Sequence, residues 1–193
     1  MSTIADNIGL VSQRIRAAAD AVQRDASSIH LLAVSKTKPA QAVREAYAAG
    51  LHDFGENYLQ EALGKQADLT DLPLCWHFIG PIQSNKTRAI AENFAWVHSV
   101  DRLKIAQRLS EQRPADLPPL NICIQVNVSG EVSKSGCTPA DLPALATAIS
   151  ALPRLKLRGL MAIPEPTEDR AEQDAAFARV RDLQASLNLP LDT

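Results

Sequence analysis

The chain has 193 residues, of which 46% are apolar and 22% charged, and its net charge is −2. That is the composition of a soluble globular protein with a sizeable core, and it offers no basic surface for nucleic acid or an anionic membrane. No apolar run approaches membrane-spanning length, the polar amphipathic start is no secretory signal, and the three cysteines, Cys75, Cys123 and Cys137, are too scattered for a disulfide framework or a metal knuckle. Cytoplasm is the expected compartment.

In chain order, Ile4, Ile8, Val11, Ile15 and Val22 recur at helical spacing and predict an amphipathic helix over residues 3–24. Leu31-Leu32-Ala33-Val34 then reads as a fully buried strand, about 30–35, which hands over to a helix opening at Pro39. Lys36 falls between the two, at the carboxyl end of the strand. Gly50 stops that helix. A short strand over 51–55 precedes a helix from Glu56 to Asp68. Strand 74–79 closes on Gly80-Pro81, a helix runs over 84–93, and strand 95–100 follows. Asp101 is the expected cap of a helix reaching Arg113. Strand 120–128, a polar loop over 129–136, a helix opened by Thr138-Pro139, strand 155–163 and a helix over 168–187 complete the chain.

Strands alternating with helices imply parallel pairing through right-handed crossovers. An open doubly wound sheet and a (β/α)8 TIM-type barrel with a leading N-terminal helix both fit. No glycine-rich phosphate loop follows any strand, which lowers the first. Polar groups follow each strand instead: Lys36, Glu56-Asn57, Gln83-Ser84-Asn85, Asp101, Asn127 with Ser129, and Met161 with Pro164. A ring of such groups at strand ends is how barrels build a pocket, although a barrel needs eight strands and roughly 250 residues. About six β/α units are present, so the expectation is a single domain over 1–193 that lacks the C-terminal end of its barrel. An amine at such a rim can be partly desolvated, which favours its neutral, nucleophilic form.

The stretches Leu31 to Lys38, Phe54-Gly55-Glu56-Asn57-Tyr58, Trp76 to Lys86, Ser133-Lys134-Ser135-Gly136 and Arg158 to Pro164 resemble the pyridoxal phosphate homeostasis protein family, in order and at family spacing along essentially the whole chain. These are pyridoxal 5'-phosphate (PLP) proteins similar to the barrel half of bacterial alanine racemases. The resemblance implies a Schiff base of PLP on Lys36, Asn57 near the ring, and a pocket lined by Met161 and the Gln83-Ser84-Asn85 loop. The family's Ser-Met-Gly-Met-Ser and Arg-Ile-Gly-Thr stretches, which carry the phosphate contacts and the arginine facing the ring nitrogen, are not in these residues. An arginine at that nitrogen weakens the ring as an electron sink, and racemisation also needs a second acid/base on the opposite face. The expected function is PLP homeostasis or carriage, with no catalytic residue. The expected partners are PLP and PLP-requiring apo-enzymes, the expected state a monomer or weak dimer. A PLP-dependent racemase-like enzyme and a cofactor-free Schiff-base aldolase are the alternatives.

Other residues have plainer readings. Lys38 competes with Lys36, but Pro39 ends the strand before period-two geometry can equate them. Tyr47, Tyr58, Trp76 and Trp96 are expected to be packing residues, and His77 and His98 structural histidines rather than metal ligands. The Gly80-Pro81 turn before Ser84-Asn85 fits either an anion site at a helix start or ordinary turn chemistry, and the Ser133–Gly136 loop either a basic lid or a solvated loop.

Overall fold

The computed structural model describes residues 2–129 and 135–191. It divides into two compact units, Met1–Trp76 and His77–Thr193, with the boundary inside β3. The strand order is β1-β2-β3 in the first unit and β3-β4-β5-β6 in the second. Six strands appear among the described residues, as expected, and β1 with β2, β3 with β4, and β5 with both β4 and β6 pair in parallel.

In the first unit, α1 (Ile4–Ala21) opens on a capping box in which the Asp6 amide donates to Thr3 Oγ1 and the Thr3 amide to Asp6 Oδ2. Helical spacing overstated its buried face: only Ala19 is buried, while Val11 and Val22 are exposed. β1 (Ala33–Val34) is two residues long, shorter than predicted, and sets Ala33 opposite Phe54 and Val34 opposite Gly55 of β2 (Asp53–Glu56). The buried-strand expectation fails at Val34, which is 52% exposed. Among the described residues of the unit β2 is the only strand beside β1, and an edge strand buries no more than its one neighbour covers. α2 (Ala40–Ala48) follows Pro39 and stops before Gly50, whose φ of +96° needs a residue without a Cβ. α3 (Leu59–Asp68) starts three residues later than predicted, because Glu56 completes β2. The Cys75 amide then donates to His52 O, joining β3 (Cys75–Phe78) to β2. Val43, Phe54, Leu59 and Ala62 form the core, with Trp76 tilted against Phe54 at 6.0 Å between ring centroids.

In the second unit, His77 and Phe78 of β3 lie opposite Trp96 and Val97 of β4 (Trp96–Val100). β5 (Leu120–Gln125) lies between β4 and β6 (Leu155–Met161). The helices are α4 (Thr87–Asn93), α5 (Leu103–Gln112), α6 (Leu142–Ser150) and α7 (Arg170–Ser186). Register shifts interrupt both ladders of β5, between Val97 and Val100 of β4 and opposite Ile122 and Cys123. Such irregularities re-aim side chains, and the residues skipped are His98, Ser99 and Arg158. Arg158 stands 4.9 Å over the Trp96 ring and donates to Asn121 Oδ1.

Two caps differ from expectation. Asp101 does not cap α5: Arg102 holds that position, and the Asp101 carboxylate takes two bonds from the Arg102 guanidinium instead. Thr138 closes a turn ahead of α6, accepting from the Asp141 amide while its hydroxyl donates to Asp141 Oδ2. β5 ends at Gln125, short of the predicted 128, and the chain returns beside it through the Val126–Cys137 bridge. Gly136 permits this, since a Cβ there would stand 2.7 Å from Asn127 N and its φ is +124°.

Candidate functional site

Lys36 lies where the sequence placed it, just past β1, and its neighbours on both sides are fixed. Ser35 is buried, and its amide donates to Gly55 O. Its hydroxyl donates to Glu56 Oε1 at 2.6 Å, and its carbonyl accepts from the Lys65 ammonium at 2.6 Å and from the Lys38 amide at 3.0 Å. On the other side, Thr37 has φ +63°. A β-branched residue pays about 1–2 kcal/mol for that left-handed conformation. Its amide is held by Glu61 Oε1 at 2.6 Å. Lys36 itself is exposed, so the expectation of a partly desolvated amine is not met: burial in this loop stops at Ser35, one residue beyond an edge strand.

The anchor of this loop is a charged cluster under it. Lys65 donates to Ser35 O, Glu56 Oε1 and Glu61 Oε1, each at 2.6 Å, which uses every proton of the ammonium. Glu56 is fully buried, Lys65 is 5% exposed, and Glu61 is partly open to water. The Lys65 ammonium, helped by the Thr37 amide, holds the Glu61 carboxyl below the usual carboxylate range. Glu56 was legible only as a polar residue at a strand end. Lys65 was missed, and the one local signal for it is its four-residue spacing from Glu61 along α3.

Asn57 follows Glu56 at the end of β2, the strand that pairs with β1. Its Oδ1 and Glu56 Oε2 are buried without a hydrogen-bond partner among the described residues. Such atoms are costly to leave unmet. Tyr58 is exposed at the start of α3, contrary to the packing role expected of it, because it caps the helix from outside; Tyr47 packs edge-on against His52.

The remaining candidates lie in the second unit. Ser84 and Asn85 occupy a turn closed by Lys86 N donating to Gln83 O, and α4 begins only at Thr87. Ser84 O is already taken by the Thr87 hydroxyl and Arg108 Nε. Met161 is the last residue of β6, opposite Gln125 at the end of β5, and is half-buried. Met161 therefore sits at the carboxyl end of a parallel strand, while Ser84 and Asn85 lie further along the segment that joins β3 to α4. A cleft of about 520 Å³ opens between Ser129, the Pro164–Thr167 segment and Arg179 of α7; of the strand-end groups Ser129 and Pro164 line it, whereas Lys36, Asn57, Ser84, Asn85 and Met161 do not. His77 stacks on Trp96 and its Nδ1 lies 2.9 Å from His98 Nε2. Ser133 and Lys134 lie outside the described residues.

A parallel β/α sheet with a leading helix and a lysine just past its first strand defines a class, and the sequence profile "Alanine racemase, N-terminal domain" matches residues 11–192. The chain is 77% identical over its full length to the pyridoxal phosphate homeostasis protein of Pseudomonas aeruginosa, spanning 84% of that protein. Over 176 residues it is 54% identical to the protein of that name in Escherichia coli K12, covering 90% of this chain and 75% of the relative. It belongs to the pyridoxal phosphate homeostasis protein family. Among solved structures, PipY of Synechococcus elongatus with PLP bound superposes with a TM-score of 0.78 at 43% identity, over 90% of this chain and 81% of that one. The alanine racemase of Corynebacterium glutamicum shares the fold, with a TM-score of 0.70 at 19% identity, over 98% of this chain and 52% of that one.

Proposed function

We propose that this chain binds PLP at the Lys36 amine and serves PLP homeostasis, holding the cofactor rather than turning it to vigorous catalysis. The observation that carries this is the Lys36 loop: an open primary amine whose preceding neighbour is pinned by buried hydrogen bonds and whose following neighbour is held by Glu61. When bound, PLP supplies an aldehyde that condenses with a primary amine to a Schiff base, releasing water. The chain's part is to present that amine and to contact the cofactor, a role the reading assigns to Asn57, Ser84, Asn85 and Met161. The names of the Pseudomonas aeruginosa and Escherichia coli relatives and the PLP in the PipY structure support it.

Because the condensation is reversible, the same reading makes PLP-requiring apo-enzymes the recipients of the cofactor. It treats the whole chain as one PLP-binding domain, monomeric or weakly dimeric, working in the cytoplasm. Among the described residues no helix is long and apolar enough to cross a membrane. Borohydride reduction of protein incubated with PLP is expected to add one reduced pyridoxyl phosphate at Lys36, found by peptide mass spectrometry. Lys36→Ala is expected to lose both that mass and the visible absorption band. A band of unchanged intensity in Lys36→Ala refutes the assignment, and deuterium wash-in at the α-carbon of an amino acid at an enzyme-like rate refutes the carrier role.

A further inference from the structure

We infer that Lys65 and Glu61 are positioning residues for the PLP-reactive amine, fixing the backbone on both sides of Lys36 without touching the cofactor. The inference rests on the proposed function. Its geometry lies entirely in the first unit.

A flexible loop would spread the Lys36 amine over many positions, and each alternative dilutes the one from which condensation proceeds. Two bonds remove that freedom. Lys65 reaches up from α3 to the carbonyl of Ser35, the residue before Lys36. Glu61, one turn earlier on the same helix, accepts from the amide of Thr37, the residue after it. The two side chains are joined to each other at 2.6 Å, so one helical turn grips both flanks of the reactive lysine. Thr37 adopts its left-handed φ of +63° against the preference of a β-branched residue, which requires a hold from outside the loop. Glu56, buried beneath, fixes Lys65 and Ser35 through a single oxygen. A purely structural ion pair would have no need of two contacts to loop backbone, whereas support of a reacting side chain by a rigid neighbouring element is what precise sites require.

The test compares four variants of the full chain. Glu61→Ala removes the Thr37 hold on a partly exposed helix position that alanine suits. Glu61→Gln restores an acceptor at the same distance. Lys65→Met removes the ammonium, and Arg44→Ala breaks the Arg44–Asp71 ion pair of the same unit as a control away from the loop. In cofactor-free protein, Glu61→Ala is expected to speed amide exchange at Thr37 at least tenfold, and Glu61→Gln to return most of it. PLP affinity, from titration of the visible band, is expected to fall at least tenfold in Glu61→Ala and Lys65→Met, with Lys36 still the residue trapped by borohydride. Arg44→Ala keeps the parent affinity. Should Lys65→Met fail to fold, the Glu61 pair decides. Exchange and affinity within twofold of the parent in folded Glu61→Ala overturn the inference while the reading of Lys36 stands. A parent protein that takes up no PLP, or a Lys36→Ala protein that takes it up normally, overturns both.

Discussion

His98 shows how burial sets chemistry at a single residue. Burial, and then the neighbouring His77 ring, lower its pKa from the ordinary 6.5 to about 4. The contact between the two rings needs one nitrogen to donate and the other to accept, so it fails when both facing nitrogens carry protons. The unfolded chain protonates His98 near its ordinary value, while the folded chain resists until about pH 4. Below 6.5 the unfolded state therefore binds more protons, and stability falls as pH drops through that window. The loss levels out near the folded pKa, at roughly 3 kcal/mol at most. His98→Gln is expected to remove this slope relative to the parent, measured as urea unfolding free energy at several pH values; parallel curves for the two proteins would refute it. The cysteines obey the same rule. Burial pushes the Cys75 thiol up to about 12 and Cys137 to about 11, so both are poor nucleophiles in the native state.

At the scale of elements, Arg113 ties two helices together. It caps α5 through its amide to Leu109 O, and its guanidinium donates to Ala91 O at 2.6 Å, Phe94 O at 2.8 Å and Pro118 O at 2.9 Å. Ala91 and Phe94 carry carbonyls at the electronegative end of α4, where a cation is favoured and orphan acceptors need a donor. Burial lowers the Arg113 pKa, though a guanidinium keeps its charge. Arg113→Met fills a similar volume but leaves three carbonyls unmet, and is expected to cost about 2–4 kcal/mol in urea unfolding. Arg113→Lys should recover part, since an ammonium lacks the planar fork. A loss below about 1 kcal/mol for Arg113→Met would show that water serves those carbonyls as well.

This residue also marks what the chain could and could not disclose. A basic residue closing the helix was readable; its acceptors on Ala91 and Phe94, far back in sequence, were not. Lys36 was readable because a short apolar run, a lysine and a proline all lie within one local stretch, whereas Glu56 and Lys65 meet only when β2 and α3 pack. The exposure of Val34 has the same origin: it depends on a strand neighbour that local periodicity does not record.

For the whole molecule, the distribution of burial predicts where structure opens first. In the second unit β5 has a strand on each side, and Ile122 and Ile124 are fully buried. α7 is its opposite, with Ala176 its only buried residue and Phe177 59% exposed. Amides that need the unit's core to separate before they exchange report global opening, and those on a lightly packed helix report local fraying. Native-state hydrogen exchange is therefore expected to be slowest at Ile122 and Ile124 and at least a hundredfold faster along the exposed face of α7. In the first unit, two-residue β1 should exchange faster than β2, except where Ser35 N donates to Gly55 O. Added PLP should slow the amides of residues 35–38 and leave α7 unchanged, because a ligand protects only openings that its bound state forbids. Protection of α7 equal to that of β5 would mean that the helix is held by contacts its burial does not reveal, and protection by PLP confined to α7 would move the cofactor from Lys36 to the cleft beside Arg179.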